Sequence, residues 1–447
     1  MDEDRRLTAE TTELLQTLIR NECVNDGRGE SGQEVRNADV LEGVLEGSGL
    51  DLATYEPLPG RRSLLATIEG TDPQAPTLLL MGHTDVVPVS PDEWREDPFG
   101  GELIDGEVWG RGAIDMLNLT SSMAVAVREL ARSGRRRRGT VKYLAVADEE
   151  AGGAHGAQWL TEQHWDAVAA DYVITEFGGM PADLPTGRRL VIATGEKGVA
   201  WRRLVVKGTP GHGSMPYGTD NAIITAAEVV RRLHEHQPRA MITDHWRRWV
   251  DALGLPDEYQ DVLLDPDRVQ EAFGLLDEPT ARFCHAVTHN TFSPNVLHGG
   301  TKTNVVPDRV ELDLDVRTLP GVSSGDVDEM IAEMLGDLAD RVEVHGVEGS
   351  REATQSPTDT PMYEILERRV QAAHPGTEVL PWLIVGATDA AFFRERGAVA
   401  YGAGLFSPQT SLNEFASRFH GHDERVDVES LGLSTRLWLD VVDDLLD

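Results

Sequence analysis

Cysteine and lysine are almost missing from this chain. Only Cys23 and Cys284 occur in 447 residues. One disulfide is arithmetically open, but no disulfide framework is, so a reducing interior is expected. Lysine is confined to Lys142, Lys197, Lys207 and Lys302, four of 41 basic residues. Long apolar runs are absent too. No stretch approaches the ~18 apolar residues of a spanning helix. The opening segment MDEDRRLTAETTELL lacks the apolar core of a secretory signal. A soluble cytoplasmic protein is expected. Positive charge is in deficit: 41 Lys+Arg against 76 Asp+Glu leave a formal net charge of −35. Such a field repels nucleic acid and anionic membranes and excludes both as main partners. An acid-rich, lysine-poor surface stays hydrated at high salt, where self-repulsion is screened, so a halophilic cytoplasm is the expected setting.

At this length two or three structural units are expected. Helical spacing marks 8–20, with Leu14, Leu15, Leu18 and Ile19 on one side, and 33–50. The apolar run 77–81, stopped by Gly82, suits a strand buried on both faces. A helix over 120–132, a strand over 141–146, a helix over 154–162 and a strand over 172–175 follow. The four arginines at 135–138 read as a solvated loop. Strands alternating with helices predict an α/β layer with a mostly parallel sheet. Near Gly195 the pattern changes. Strands 201–206, 310–317 and 342–347, with helices 221–234 and 324–335, predict an inserted α+β layer. Residues 238–290 read as a partly helical insertion within it. A helix over 362–373 returns the chain to α/β character.

Acidic and histidine side chains fall at the expected strand ends, where open α/β sheets bind ligands. His83 in GHTDVVP can ligate a divalent metal through one ring nitrogen. Asp85 can accept the other ring N–H and fix the tautomer. Asp115 in GRGAIDM opens a helix, and its two oxygens can bridge two cations. In DEEAGG, if one of Glu149 and Glu150 faces a metal, the other can act as general base. Glu176 in TEFGG follows the next strand, and a histidine of HGHDERV can close the set. Histidine and carboxylate donors without cysteine suit Zn²⁺, Co²⁺ or Mn²⁺. Taken singly, each residue has an ordinary structural reading: a helix cap, a solvated acidic face, a core histidine pair.

With these residues in view, the chain resembles the metallopeptidase family of aminoacylase, carboxypeptidase G, acetylornithine deacetylase and succinyl-diaminopimelate desuccinylase. The matching segments are GHTDVVPV, GRGAIDM, DEEAGG, TEFGG, GEKG, GTPGHGSMP, TNVVPDRVELDLDVR, GATDAAFF and HGHDERV, in the family's order from about residue 75 to 430. The resemblance implies a zinc-peptidase α/β catalytic domain, 1–196 and 353–447, with an inserted ferredoxin-like lid, 197–352, through which the chain dimerises. It implies two Zn²⁺ per subunit, with Co²⁺ or Mn²⁺ as alternatives. His83, Asp115 and Glu176 would hold one ion, and Asp115, Glu150 and His420 the other, with His422 as fallback. Asp85 would support His83, and the Asp115–Met116 peptide would be cis. The implied reaction is hydrolysis of a peptide or N-acyl amino acid amide by a metal-bridging hydroxide, with Glu149 as general base. His212 would polarise the carbonyl, and Asn304 and Arg317 would hold the substrate carboxylate. For Arg317 a lid salt bridge is the competing structural reading. A desuccinylase or deacetylase on the same site, and a catalytically silent metal-dependent binder, remain the alternatives. Leu117–Asn118 departs from the family, which often carries lysine after the cis bond.

Overall fold

The computed structural model describes residues 3–447. The chain forms two compact units. The first runs to Gly195 and resumes over Gln355–Trp382 and Thr388–Asp447; the second is Glu196–Thr354 with Leu383–Ala387. The short 383–387 return was not anticipated. It goes with the second unit because the Lys197 amide donates to the Ile384 carbonyl at 2.9 Å.

The first unit is built on a ten-stranded sheet that is parallel at its centre. Strands Thr140–Val146, Thr77–His83, Tyr172–Thr175 and Val399–Gly402 lie side by side in parallel. Antiparallel strands flank them: Ser63–Ile68 on one side, Gly187–Glu196 on the other. Leu78, Leu79, Leu80 and Met81 are fully buried, as a central strand covered on both faces requires. The helix Leu117–Arg132 packs beneath the sheet and against Glu3–Arg20 and Val428–Leu446. Trp438 of the last helix donates to the Ser122 hydroxyl at 2.8 Å. The arginine run is a loop with Arg135, Arg136 and Arg138 exposed, as expected; only Arg137 departs from that reading. Arg137 is buried and donates to Asp443 at 2.7 and 3.1 Å, because the C-terminal helix lies across this turn. Cys23 and Cys284 are both buried thiols, in different units. Among the described residues no helix is long and apolar enough to cross a membrane.

A small three-stranded sheet completes the first unit, pairing Arg425–Asp427 with Glu107–Trp109 and that strand with Glu102–Ile104. It joins the C-terminal loop at residue 420 to the segment that leads into Asp115.

In the second unit, Thr291–Gly299, Arg309–Thr318, Arg202–Lys207 and Val342–Gly346 form an antiparallel sheet. Leu204, Val206, Leu312 and Leu314 pack against Ala226 and Val229 of helix Ala222–Glu235 and Ile331 of helix Ser324–Leu335. Both helices start at side-chain caps, Asn221 and Ser323. The 238–290 insertion contains the helices Asp244–Leu253, Asp257–Leu263, Val269–Phe273 and Glu278–Thr288 around a core of Trp246, Val250, Val269 and Val287.

Candidate metal centre and active site

Three adjacent parallel strands end in the candidate residues. His83 is the last residue of its strand, Glu149–Glu150 follow Thr140–Val146, and Glu176 follows Tyr172–Thr175. Close packing of strand ends sets this layout. A Cβ added at Gly402 would lie 1.8 Å from the Glu176 carbonyl, so only glycine fits beside that ligand's backbone. The Asp115–Met116 peptide is cis.

Two donor clusters share Asp115. One contains His83, Asp115 and Glu176, all buried; the other contains Asp115, Glu150 and His420. His83 Nε2 lies 3.1 Å from Asp115 Oδ1 and 3.6 Å from Glu176 Oε2. His420 Nε2 lies 3.0 Å from Asp115 Oδ2 and 3.3 Å from Glu150 Oε2. The two oxygens of Asp115 therefore face different histidines. Of the two candidate histidines in HGHDERV, His420 is the one that joins the donor cluster, and His422 is in neither cluster.

Asp85 differs in detail from the expectation. The His83 Nδ1–H donates to the backbone carbonyl of Asp85 at 2.9 Å, whereas the carboxylate is 3.6 Å away. That carboxylate instead accepts the amides of Glu149 at 3.3 Å and Glu150 at 3.1 Å, and the Asn25 side chain at 2.8 Å. Asp85 thus fixes the His83 tautomer through its main chain and the Glu149–Glu150 turn through its side chain. Behind it lies a buried network that the sequence reading missed. Asn25 also donates to Asp148 at 3.1 Å, and Arg61 pairs with Glu34 at 2.5 Å and Asp148 at 3.3 Å. A second missed pair is Glu424 with Arg111, 2.6 Å apart. Both stand inside quoted motifs, but neither motif distinguishes a supporting acid from a ligand.

The electrostatics of the cluster favour added positive charge. With Nδ1–H spent on a carbonyl, His83 Nε2 faces two carboxylates, an arrangement relieved by a proton on Nε2 or by a cation held between them. Burial alone would lower the His83 pKa, but Asp115 and Glu176 outweigh it and hold the ring well above its ordinary range. The Glu176 carboxyl is pushed well up by burial and by Asp115. Glu150 is raised by burial and by Asp115, and its Oε1 is buried with no hydrogen-bond partner. Desolvation and the charge of Glu176 hold the Glu149 carboxyl well above the carboxylate range. Packed acids with an orphaned oxygen and two imidazole nitrogens fit a pair of divalent ions bound by N and O donors.

The remaining candidates lie in the second unit. His212 and Asn304 are neighbours: Gly211–His212 pairs with Val305–Val306, and the Gly213 amide donates to the Asn304 carbonyl at 2.8 Å. Ser214 donates its amide to His212 Nδ1 at 3.2 Å, so the neutral ring carries its proton on Nε2, as a donor. Arg317 is bound to Asp315 at 2.7 and 3.2 Å and lies over the Trp201 ring at 5.9 Å. The salt bridge is its arrangement here.

A parallel-centred sheet with acids and histidines gathered at its strand ends defines a hydrolase built around metal-binding donors. The chain belongs to the peptidase family M20/M25/M40, whose profile matches residues 79–444. It is therefore an amide-bond hydrolase of that family. It is 26% identical over 395 residues to the N-fatty-acyl-amino acid synthase/hydrolase PM20D1 of Xenopus tropicalis, covering 86% of this chain and 75% of that one. It is 28% identical over 382 residues to aminoacylase-1 of Mus musculus, covering 85% and 82%. Its fold is that of an M20 family metallo-carboxypeptidase from Sulfolobus solfataricus, with a TM-score of 0.71, 20% identity and coverage of 100% and 99%.

Proposed function

We propose that this protein hydrolyses the amide bond of an N-acyl amino acid or short peptide at a two-ion centre. His83, Asp115 and Glu176 would hold one divalent ion, and Asp115, Glu150 and His420 the other. The observation that carries the reading is Asp115, with Oδ1 at 3.1 Å from His83 and Oδ2 at 3.0 Å from His420. Zn²⁺ suits this donor set, with Co²⁺ or Mn²⁺ as alternatives. Bound ions would supply Lewis acidity, lowering the pKa of a water and polarising the scissile carbonyl.

The chain's own groups supply the proton chemistry and the grip. Glu149, with its affinity for protons raised by desolvation and Glu176, takes a proton from the attacking water and returns it to the leaving nitrogen. His212 offers its Nε2–H to the developing oxyanion. Arg317 and Asn304 receive the substrate carboxylate; the Arg317 fork must then share or exchange its Asp315 partner.

A homodimer through the second unit fits its surface. The strand Thr291–Gly299 is an edge of its sheet, with Val296 and Leu297 exposed, and Ile223 and Ile224 are exposed on the adjacent helix. An unpaired edge flanked by apolar side chains favours a second copy. A cytoplasmic, salt-rich setting accords with the −35 charge and the two free cysteines.

The deciding experiment is a metal titration coupled to an amide panel of N-acetyl, N-fatty-acyl and N-succinyl amino acids and dipeptides in concentrated salt. Glu149→Gln should lower kcat by about 10²–10⁴-fold while metal content stays at the wild-type value. Turnover within about tenfold of wild type would remove Glu149 from the base role. No hydrolysis of any member by the metal-loaded wild type would leave the silent binder.

A further inference from the structure

We propose that Glu424 and Arg111 are positioning residues that hold Asp115 and His420 in register for the second ion. Their loss should empty the Asp115–Glu150–His420 cluster before the His83 cluster. This inference rests on the two-ion reading above.

Glu424 is fully buried, and Arg111 nearly so. Both carboxylate oxygens of Glu424 are spent on the segment that carries the shared ligand. Its Oε1 accepts the amides of Ile114 at 2.8 Å and Asp115 at 3.2 Å, and its Oε2 accepts Arg111 at 2.6 Å. The Glu424 carbonyl accepts the Gly110 amide at 2.9 Å. Arg111 then reaches the His420 carbonyl at 3.3 Å and the Pro88 carbonyl at 3.5 Å. One ion pair thus ties together the chain after His83, the approach to Asp115 and the loop of His420.

A buried ion pair is weak evidence for stability, because desolvation offsets most of its attraction. This one also adds a carboxylate beside a site already crowded with acids. Its hydrogen bonds go to main-chain groups of ligand segments, which is what a geometric role requires. Outer partners of this kind typically change metal affinity by about 10–100-fold when removed.

The two clusters depend on the clamp unequally. His83 and Glu176 stand at the ends of neighbouring strands, and Leu78, Leu79 and Leu80 pair in register with Tyr172, Val173 and Ile174. The sheet holds those two ligands. His420 sits on a loop, its side chain 40% exposed, with φ at 53°. Its main chain is tied to Arg111.

Metal-free wild type, Glu424→Gln and Arg111→Lys should be titrated with Zn²⁺ and Co²⁺ by equilibrium dialysis, with kcat and KM measured at each occupancy. The amide introduced by Glu424→Gln can still accept the two backbone N–H groups but turns N–H groups of its own toward Arg111; Arg111→Lys keeps the charge and loses the fork. Wild type should bind two ions. Both variants should bind the first within about threefold of wild type and the second about 10–100-fold more weakly. Excess metal should restore kcat with KM little changed. Arg95→Ala, which breaks the exposed Arg95–Asp423 pair on the same loop, should leave both affinities unchanged. Equal weakening of both ions, no weakening, or the same loss in Arg95→Ala overturns the clamp. If one variant fails to fold, the other decides; if both fail, the pair serves folding and the proposal is wrong. A wild type that binds a single ion defeats the two-ion reading itself, whereas two ions bound with wild-type affinity in every variant defeats only the clamp.

Discussion

At the residue scale, the site is a problem of charge storage. Four acids and two imidazoles converge, and each side chain's pKa departs from its ordinary value because burial and its neighbours act together. A second, independent histidine feature lies in the insertion. His289 stacks on His285 with ring centroids 4.2 Å apart. Its Nδ1–H reaches the His285 carbonyl at 3.2 Å, and its Nε2 accepts the Gln270 amide at 3.2 Å. Both contacts suit the neutral ring. Burial, with His285 next, pushes its pKa down to about 4. An unfolded histidine titrates near 6.5. Between those values the unfolded chain holds a proton that the folded chain does not, so stability rises with pH across the window and falls on acidification from about 6.5 to 4. Thermal melts of wild type and His289→Phe over pH 4–7 should diverge, with the wild type losing more on the acid side. Parallel curves would show that His289 does not titrate in this way.

At the element scale, parallel strands do the positioning. Strand ends can bring three ligand-bearing segments together because their registers are fixed by continuous pairing, as between Thr77–His83 and Thr140–Val146. One close approach is at Gly402, in register with Thr175 and against the Glu176 carbonyl. Gly402→Ala should cost at least about 1–3 kcal/mol, because the methyl meets backbone that has nowhere to move. Differential scanning calorimetry checks this; an unchanged melting temperature would mean that the two strand ends separate at little cost. The strand Arg425–Asp427 of the three-stranded sheet begins only after His420, so that histidine stays on its loop and is not fixed by strand pairing as His83 is.

At the scale of the whole molecule, charge dominates. A formal −35 opposes compaction, and much of the unpaired acid is solvent-facing. Screening should relieve this, since the Debye length falls from about 10 Å at 0.1 M to about 3 Å at 1 M salt. The melting temperature should therefore rise as NaCl increases from about 0.05 to 2 M. A flat or falling trend would count against the salt-rich setting. Specificity also belongs to this scale. The sequence offered Arg317 either to a substrate carboxylate or to a salt bridge, and its own strand supplies Asp315, two residues earlier on the same face, as its present partner.

Much of the molecule was legible in one dimension. The central strands were readable because burial on both faces demands unbroken apolar runs such as Leu78–Met81, and the helices because their apolar residues recur every three or four positions. His83, Glu149, Glu150 and Glu176 stood out for being polar at the points where those runs stop, and Asp115 for opening a helix after a glycine-rich turn. Motif resemblance favoured His420 over His422, but the residues by themselves left the pair open, and they could not choose between the carboxylate and the carbonyl of Asp85. The sequence held no sign that Glu424 binds Arg111 and the Asp115 amide, or that Arg137 is buried on Asp443. Those choices rest on contacts between residues up to 313 positions apart. Local pattern records which face of an element is buried; only the assembled chain decides which polar group meets which.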